Sequence, residues 1–418
     1  MSMNTESSHE QKDATTRTET GTGTGTGMGG DRDRQILIAG DGVTATLTAG
    51  FVEQAGLDPL LASVGADPIR TGIVVFWKPG LHLLERIGLR RPIERRGNTL
   101  TELIYHDATN SAENVTKVAE TASADPSLIV IERSELENIF GWSIRERVDT
   151  TDRVVNTVTA INNTETGHTK SRSESDPTAC ANFDDDITER FDAIVAEHRD
   201  VLTTKIDAER SYGNVHTWSF NWPAGVPAPT HPVELWSKQT AAFIVPVGTE
   251  DVWVRLVARN DASAEATIAV SKLESRFGRL FDAIEDPFDE LNQHDIQYGR
   301  VSDNHPVSIA MNGVALVGAG ARSGVPGDRL CPTLGCEDAW VLADELAYGP
   351  EVVEKALSKY EQRRRQRMRQ LVDSVPVSPS RLPTDCSVFI QRLAGRRTIA
   401  FGNMLECSIP ASVQSGIV

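Results

Sequence analysis

Residues 36–56 read ILIAGDGVTATLTAGFVEQAG, and no other stretch constrains the fold as strongly. An apolar strand runs into Gly40 and Gly42, and a run of small residues then opens a helix. This order makes a buried strand feed a helix whose first N–H groups face a common point, the geometry of a dinucleotide-binding turn. A second strand with the same ending, GVALVGAG at 313–320, lies near the far end of the chain and precedes a Gly/Pro-containing loop and a long helix from about Cys336 to Leu346. Two such units far apart in sequence predict an α/β sheet assembled from distant segments.

The turn departs from its pattern in two places. The third glycine is replaced by Ala45, which such turns accept. The acidic side chain expected about 20 residues on, where it grips a ribose hydroxyl, is replaced by Ser63 at the end of DPLLAS. Pro59 inside that second strand lacks a ladder donor and argues against it.

Between the two ends the pattern changes. NVHTWSFNW, THPVELW, TAAFIVPVG and DVWVRLVAR, within 214–259, alternate as half-buried antiparallel strands do, and the helix ESRFGRLFDAI follows. DRVVNTVTAINN and the ITERFDAIV region read as strands flanking an acidic loop. Its Asp184, Asp185 and Asp186 are adjacent and cannot all point at one ion, so no metal site is expected there. Residues 1–34, with their TGTGTG repeat, are too polar to offset the entropy of ordering and are expected to be disordered.

Composition narrows the function classes. With 418 residues and 39% hydrophobic content the chain can bury a large core. It has no run approaching about 20 apolar residues and no apolar N-terminal signal region, which gives a cytoplasmic expectation without a membrane span. A formal charge of −17 repels phosphate backbones, so nucleic acid is not expected as a partner, and RRRQRMR at 363–369 reads as a solvated basic helix face. Nine Lys against 33 Arg, with abundant Asp, Glu and Thr, resembles the composition of proteins from salt-loving archaea. Cys180, Cys331, Cys336, Cys386 and Cys407 have no CxxC spacing, so neither a disulfide framework nor a zinc site is expected.

From about Gln35 to Leu371 the order of elements resembles the FAD-dependent aromatic-ring monooxygenases of the p-hydroxybenzoate hydroxylase type. TGIVVFWKPGLHLLERIGL, ERSEL and ELWSKQTAAFIVPVG carry part of the likeness. Its strongest part is MNGVALVGAGARSGVPGDRLCPTLGCEDAWVLADEL followed by KYEQRRR, in which Gly318, Pro326, Glu337, Asp338 and Ala339 stand at matching positions.

The resemblance implies a Rossmann-like FAD-binding domain of discontinuous segments, 35–70, 100–204 and 299–372. An inserted antiparallel substrate domain would comprise 71–99 and 205–298, and residues 373–418 a C-terminal extension. It further implies NAD(P)H as electron donor, Gly40, Gly42, Ala45, Ser63, Arg133, Gly318, Ala319, Pro326 and Arg329 around the flavin, and Trp77, Trp236, Phe243 and Pro246 at the substrate. For each Trp, core packing is the competing reading.

Several family contacts are replaced. The Asp that holds the ribityl chain is Ala319, the glycines of a later Gly-x-Gly are Arg329 and Cys331, and the middle Asp-Gly motif falls near DAIVAEHRD, where only Glu197 and His198 offer a match. A hydrogen bond to a charged group contributes about 1.5–3 kcal/mol. Losing the carboxylates at positions 63 and 319 therefore removes roughly 3–6 kcal/mol, or about two to four decades of affinity. The expectation is an FAD-dependent oxidoreductase of the monooxygenase type with weakened flavin binding and no identifiable catalytic base. The alternative is a flavin-free relative that keeps the fold as a binding or regulatory module. A plain NAD-dependent dehydrogenase fits less well, because Ser63 stands at the ribose position and no catalytic dyad is evident.

Overall fold

The computed structural model describes residues 34–65, 72–100, 102–107, 112–117, 128–161, 179–203, 215–237, 240–248, 251–259, 269–301, 308–321, 331–350 and 352–374. Pro326, Arg329 and the expectations placed on residues 1–33 and 375–418 lie outside the described residues.

In chain order, β1 (Gln35–Ala39), α1 (Val43–Gln54) and β2 (Asp58–Ser63) form the first unit, followed by β3 (Ile73–Trp77), α2 (Lys78–Arg86), α3 (Arg90–Arg96) and β4 (Asn98–Thr99). Next come β5 (Glu102–Asp107), β6 (Ala112–Lys117), β7 (Leu128–Glu132), α4 (Arg133–Phe140), β8 (Asp149–Ala160), β9 (Ala179–Phe183), β10 (Thr188–Phe191) and β11 (Ala193–Ala196). The chain continues with β12 (Val215–Asn221), β13 (Val233–Trp236), β14 (Thr240–Pro246), β15 (Val252–Arg259), α5 (Val270–Phe277) and β16 (Gln297–Val301). It closes with β17 (Ala310–Met311), β18 (Val314–Leu316), α6 (Gly318–Ala321), α7 (Cys331–Tyr348) and α8 (Val353–Ser374).

Three sheets result. The eight-stranded sheet runs β10-β9-β8-β2-β1-β11-β18-β17, and its centre, β8-β2-β1-β11-β18, is parallel throughout. Leu37, Ile38, Ile194 and Val195 on the two central strands are fully buried, as continuous apolar runs in a parallel sheet must be. Each such side chain contributes about 1.5–3 kcal/mol of transfer free energy. Pro59 is tolerated because β2 pairs β1 from Asp58 onward, whereas its pairing with β8 starts only at Leu60, beyond the proline.

The three-stranded sheet, β3-β7-β4, is apolar on both faces, and the alternation of IVVFW shows why. Val74 and Phe76 join the main core, while Val75 and Trp77 face a separate cluster with Val130, Val245, Val247 and Trp253. The seven-stranded sheet is ordered β16-β12-β15-β14-β13-β5-β6. One face, including Trp218, Phe220, Leu235, Ile244, Val254 and Leu256, packs on Leu273 and Phe277 of α5. β5 and β6, within the 100–204 segment, hydrogen-bond into this sheet and not into the eight-stranded one.

The architecture is the mixed α/β arrangement expected, with a largely parallel sheet of distant segments and a separate, mainly antiparallel sheet. The basic run on α8 corrects its sequence reading. Arg364 and Arg367 are 3% and 9% exposed, so the run is not a solvated face. Arg364 donates to Asp338 (2.6 Å) and Glu337 (2.8 Å), and Arg367 donates to Glu337 (3.2 Å). Arg363 meets Asp344 and Glu345 at 2.7 Å each. The reason is helical spacing: Leu357, Tyr360, Arg364 and Arg367 share one stripe of α8, and that stripe faces the acids of α7. Tyr360 completes the contact by donating to the carbonyl of Leu316 at the end of β18 (2.7 Å).

Removing one partner of a buried ion pair strands the other, so Arg364→Met should lower the unfolding free energy by about 3–5 kcal/mol, seen as a lower denaturant midpoint at unchanged slope. Burial alone pushes the Glu337 carboxyl up, but the Arg364 and Arg367 guanidiniums outweigh it and hold it below the usual range. A carboxyl depressed in the folded state stabilises above its unfolded value and loses that contribution as pH falls through the folded one. Stability should therefore decline on acidification below about pH 4.3, and Glu337→Gln should flatten that limb of a denaturation-versus-pH series.

Candidate functional site

The strand order of the parallel sheet reverses at β1, with β2 on one side and β11 on the other. In open α/β sheets the crevice at the carboxyl ends of strands at such a switch point is where ligands bind. Here the crevice is bounded by Gly40 after β1, Ser63 at the end of β2, Glu197 after β11 and Gly318 after β18. The structure thus brings Gly40, Gly42, Ala45, Ser63, Gly318 and Ala319 to one end of one sheet, from segments nearly 300 residues apart in the chain.

Helix α1 has no acidic residue in its first turn and no capping side chain on its own N-cap, Gly42. Its exposed donors are satisfied from across the crevice. The Glu197 carboxylate accepts from the N–H of Gly42 (2.8 Å) and from the N–H of Thr44 (3.2 Å). Glu197 is held in place by its own N–H, which donates to Ala39 (3.1 Å), and it is 6% exposed. A Cβ at Gly42 would overlap both carboxylate oxygens, and one at Gly40 would lie 2.8 Å from the β-carbons of Ala45 and Glu197. Burial pushes the Glu197 carboxyl up, and it prevails over the opposing His198 charge, the two N–H donors and the Arg133 charge.

Arg133 opens α4 at the end of β7, and its N–H donates to Gly72 (2.9 Å). It is half-buried and acts on Glu197 through its charge. Among the described residues its guanidinium has no hydrogen-bond or ion-pair partner. On the other side of the turn, Asp41, which separates the two glycines, accepts from the N–H of Val64 (2.9 Å), and the Ser63 hydroxyl accepts from the N–H of Gly65 (3.0 Å). A carboxylate therefore stands beside the end of β2 after all, supplied by the first turn. Sequence reading missed it because Asp41 occupies the variable position of Gly-x-Gly.

At the end of β18, Gly318 adopts φ +56° and its N–H donates to Asp338 (3.0 Å), the acid that also holds Arg364. A Cβ at Gly318 would lie 2.6 Å from the Thr44 hydroxyl, and one at Gly335 would lie 2.5 Å from it, so α1, α6 and α7 meet around one threonine. Ala319 is exposed and offers no acceptor.

The other sequence candidates lie on different sheets. Trp77 is 2% exposed in the small cluster between the three-stranded sheet and β14, and its main-chain N–H donates to the Thr333 hydroxyl of α7 (2.9 Å). Phe243 is buried on β14, paired laterally with Glu234 and Arg255, on the face of the seven-stranded sheet turned away from α5. Trp236 ends β13 opposite Ala241, and Pro246 ends β14 opposite Val252, its carbonyl accepting from Asn98 (3.2 Å). No group of three or more His, Cys, Asp or Glu among the described residues could hold a metal ion, and none of their helices is long and apolar enough to cross a membrane. Asp184, Asp185 and Glu189 are instead occupied at the surface, the first by the Val154 N–H and the others by Arg153.

The arrangement can be tested against the FAD that the sequence resemblance implies. Donors of the right kind converge at the turn, since they hold an oxyanion there. The oxyanion is the protein's own carboxylate, and a pyrophosphate cannot share its position. With Ala319 offering no acceptor, the residues as arranged do not fit the cofactor until Glu197 moves.

No family model and no curated protein sequence matches the chain. Solved structures do. The Klebsiella pneumoniae protein HpxO, crystallised with FAD and uric acid, superimposes with a TM-score of 0.67 at 16% identity, covering 90% of this chain and 97% of that one. Tetracycline destructase Tet(51) gives 0.58 at 16% identity, covering 90% and 97%. The tetrameric form of 2-methyl-3-hydroxypyridine-5-carboxylic acid oxygenase gives 0.60 at 17% identity, covering 89% and 94%. The fold is that of the two-domain flavin monooxygenases.

Gly318 is the position where the site tolerates a side chain least on conformational grounds. Gly318→Ala should cost about 1–2 kcal/mol for the left-handed backbone alone, and more through the contact with Thr44. Thermal unfolding of the variant beside the wild-type chain measures it.

Proposed function

We propose that the chain is an oxidoreductase of the FAD-dependent monooxygenase type that holds its flavin weakly, takes electrons from NAD(P)H and acts on a small aromatic or otherwise apolar molecule. The observation that carries this reading is the oxyanion position at the α1 N-terminus. Two main-chain N–H groups converge there on a carboxylate, at the switch point of a parallel sheet, inside a fold shared over nine-tenths of the chain with a protein crystallised with FAD. Weak binding follows from the same site, because Glu197 already uses those donors and Ala319 supplies no acceptor. In this reading 35–70, 100–204 and 299–372 serve the nucleotide, apart from β5 and β6, which belong to the seven-stranded sheet and, with 71–99 and 205–298, serve the substrate. Phe243 then faces the substrate side, and Arg133 lies beside the phosphates.

Because the cofactor does not fit the conformation described, no catalytic step is derived through it. What this chain's residues do is bind and exclude. Gly42 and Thr44 offer main-chain donors, Arg133 offers a half-buried cation, and the apolar side chains of β3 and β7 pack on the main core with one face and on Val245, Val247 and Trp253 with the other.

The full chain should be purified in high salt, as its acidic composition recommends, and its visible spectrum recorded with and without added FAD. Partial yellow colour that is lost on dialysis and restored by FAD, with a thermal shift at saturating FAD, is the expected result. A colourless protein without a thermal shift at saturating FAD would overturn the enzyme reading in favour of a flavin-free protein that keeps the fold.

A further inference from the structure

Resting on that reading and deepening it, we infer that Glu197 is an internal competitor for the nucleotide's phosphate: its carboxylate occupies the phosphate position at the α1 N-terminus, and a dinucleotide binds only by displacing it.

Three observations carry this. The carboxylate makes the contacts a phosphate oxygen would make, to the N–H of Gly42 and of Thr44. It is packed so closely that the glycines of the turn are required by Glu197 itself, since a Cβ at Gly42 would overlap both of its oxygens. It is also buried beside a half-buried cation, Arg133, that has no hydrogen-bond or ion-pair partner among the described residues. The consequence is electrostatic as well as steric. Two anions in one poorly solvated crevice repel each other, so the phosphate and the carboxylate exclude one another even where the chain gives way by an ångström or two. When the carboxylate leaves, Arg133, whose charge already acts on Glu197, can receive it or the incoming phosphate.

Glu197→Ala retains the backbone and the β-carbon that packs on Gly40, and frees both N–H donors. Binding of FAD, ADP and inorganic pyrophosphate to the full chain would be measured by titration calorimetry for wild type, Glu197→Ala and Glu197→Gln. Glu290→Gln, an exposed site on a surface turn, controls for the change in net charge. The expected result is a gain of about tenfold or more for Glu197→Ala, each freed donor being a hydrogen bond to a charged group, with a smaller gain for Glu197→Gln and none for Glu290→Gln. A gain for pyrophosphate and ADP without any for FAD would support the competitor and overturn the flavin reading. Unchanged affinity for all three probes, or an equal gain in Glu290→Gln, would overturn the competitor.

A second measurement needs no ligand. Gly42→Ala should lower the melting temperature by several degrees in the wild-type background, where the new methyl meets the carboxylate, and by much less in Glu197→Ala. Equal losses in the two backgrounds would show that Gly42 answers to something other than Glu197 and would overturn the inference.

Discussion

The contact between the Glu197 carboxylate and the first turn of α1 joins the end of β11 to the helix that follows β1, and the centre of the molecule is arranged around it. A helix N-terminus leaves donors without intrahelical partners, and in a buried crevice those donors must find acceptors. Most helices solve this with a side chain at the N-cap. Gly42 has none, so the acceptor comes from 155 residues away in sequence, and the β1–β11 register that aligns Ala39 with Ala196 is what delivers it.

The neighbouring strand solves the same problem in the same way. At the end of β18 the N–H of Gly318 is accepted by Asp338, an acid on α7 whose other oxygen holds Arg364 of α8. The two halves of the crevice are thus each closed by a carboxylate of the chain, but the two acids sit in different electrostatic settings. The Asp338 and Glu337 pair faces Arg364 and Arg367, so its charge is balanced within the buried cluster. Glu197 has only N–H dipoles and partly buried charges to set against the cost of burial, and its carboxyl is accordingly pushed up. An acid matched by buried guanidiniums is a fixed part of the frame. An acid matched by dipoles and by charges with which it makes no ion pair is held less firmly, which makes Glu197 the one of the two that a phosphate can replace.

The parts of this structure legible in sequence were those with a local signal. The strand-turn-helix at 36–56, the strand ending in Gly318 and the alternating strands of 215–259 follow from periodicity and turn chemistry, and the architecture followed from their order. The buried role of Arg364 and Arg367 was also written locally, in the spacing that sets them one and two turns beyond Tyr360, but a dense basic run hides that spacing because Arg363, Arg365 and Arg369 around them are half-buried or exposed. The position of Glu197 had no local signal. The resemblance placed Glu197 near the crevice, yet whether its side chain pointed into the α1 turn or away from it depended on the register between β1 and β11, neighbours in the sheet that lie more than 150 residues apart in the chain. Asp41 was missed for a related reason, since its partner is the main chain at the end of another strand.

These contacts also change what the two glycines can be taken to mean. Gly-x-Gly at a strand-helix turn reads as a phosphate site because a Cβ would block the approach of a phosphate oxygen to the main chain. The same blockage applies to any oxyanion, and here the oxyanion is covalently part of the chain. Gly40 and Gly42 would be needed by the packing of Glu197 even if no nucleotide were ever bound, so their presence cannot by itself distinguish a nucleotide site from a closed one. The residue opposite the turn makes that distinction. A small side chain there leaves the N–H groups facing an open crevice, whereas a glutamate fills the crevice with the ligand's own chemistry and converts nucleotide binding from simple association into an exchange of one anion for another.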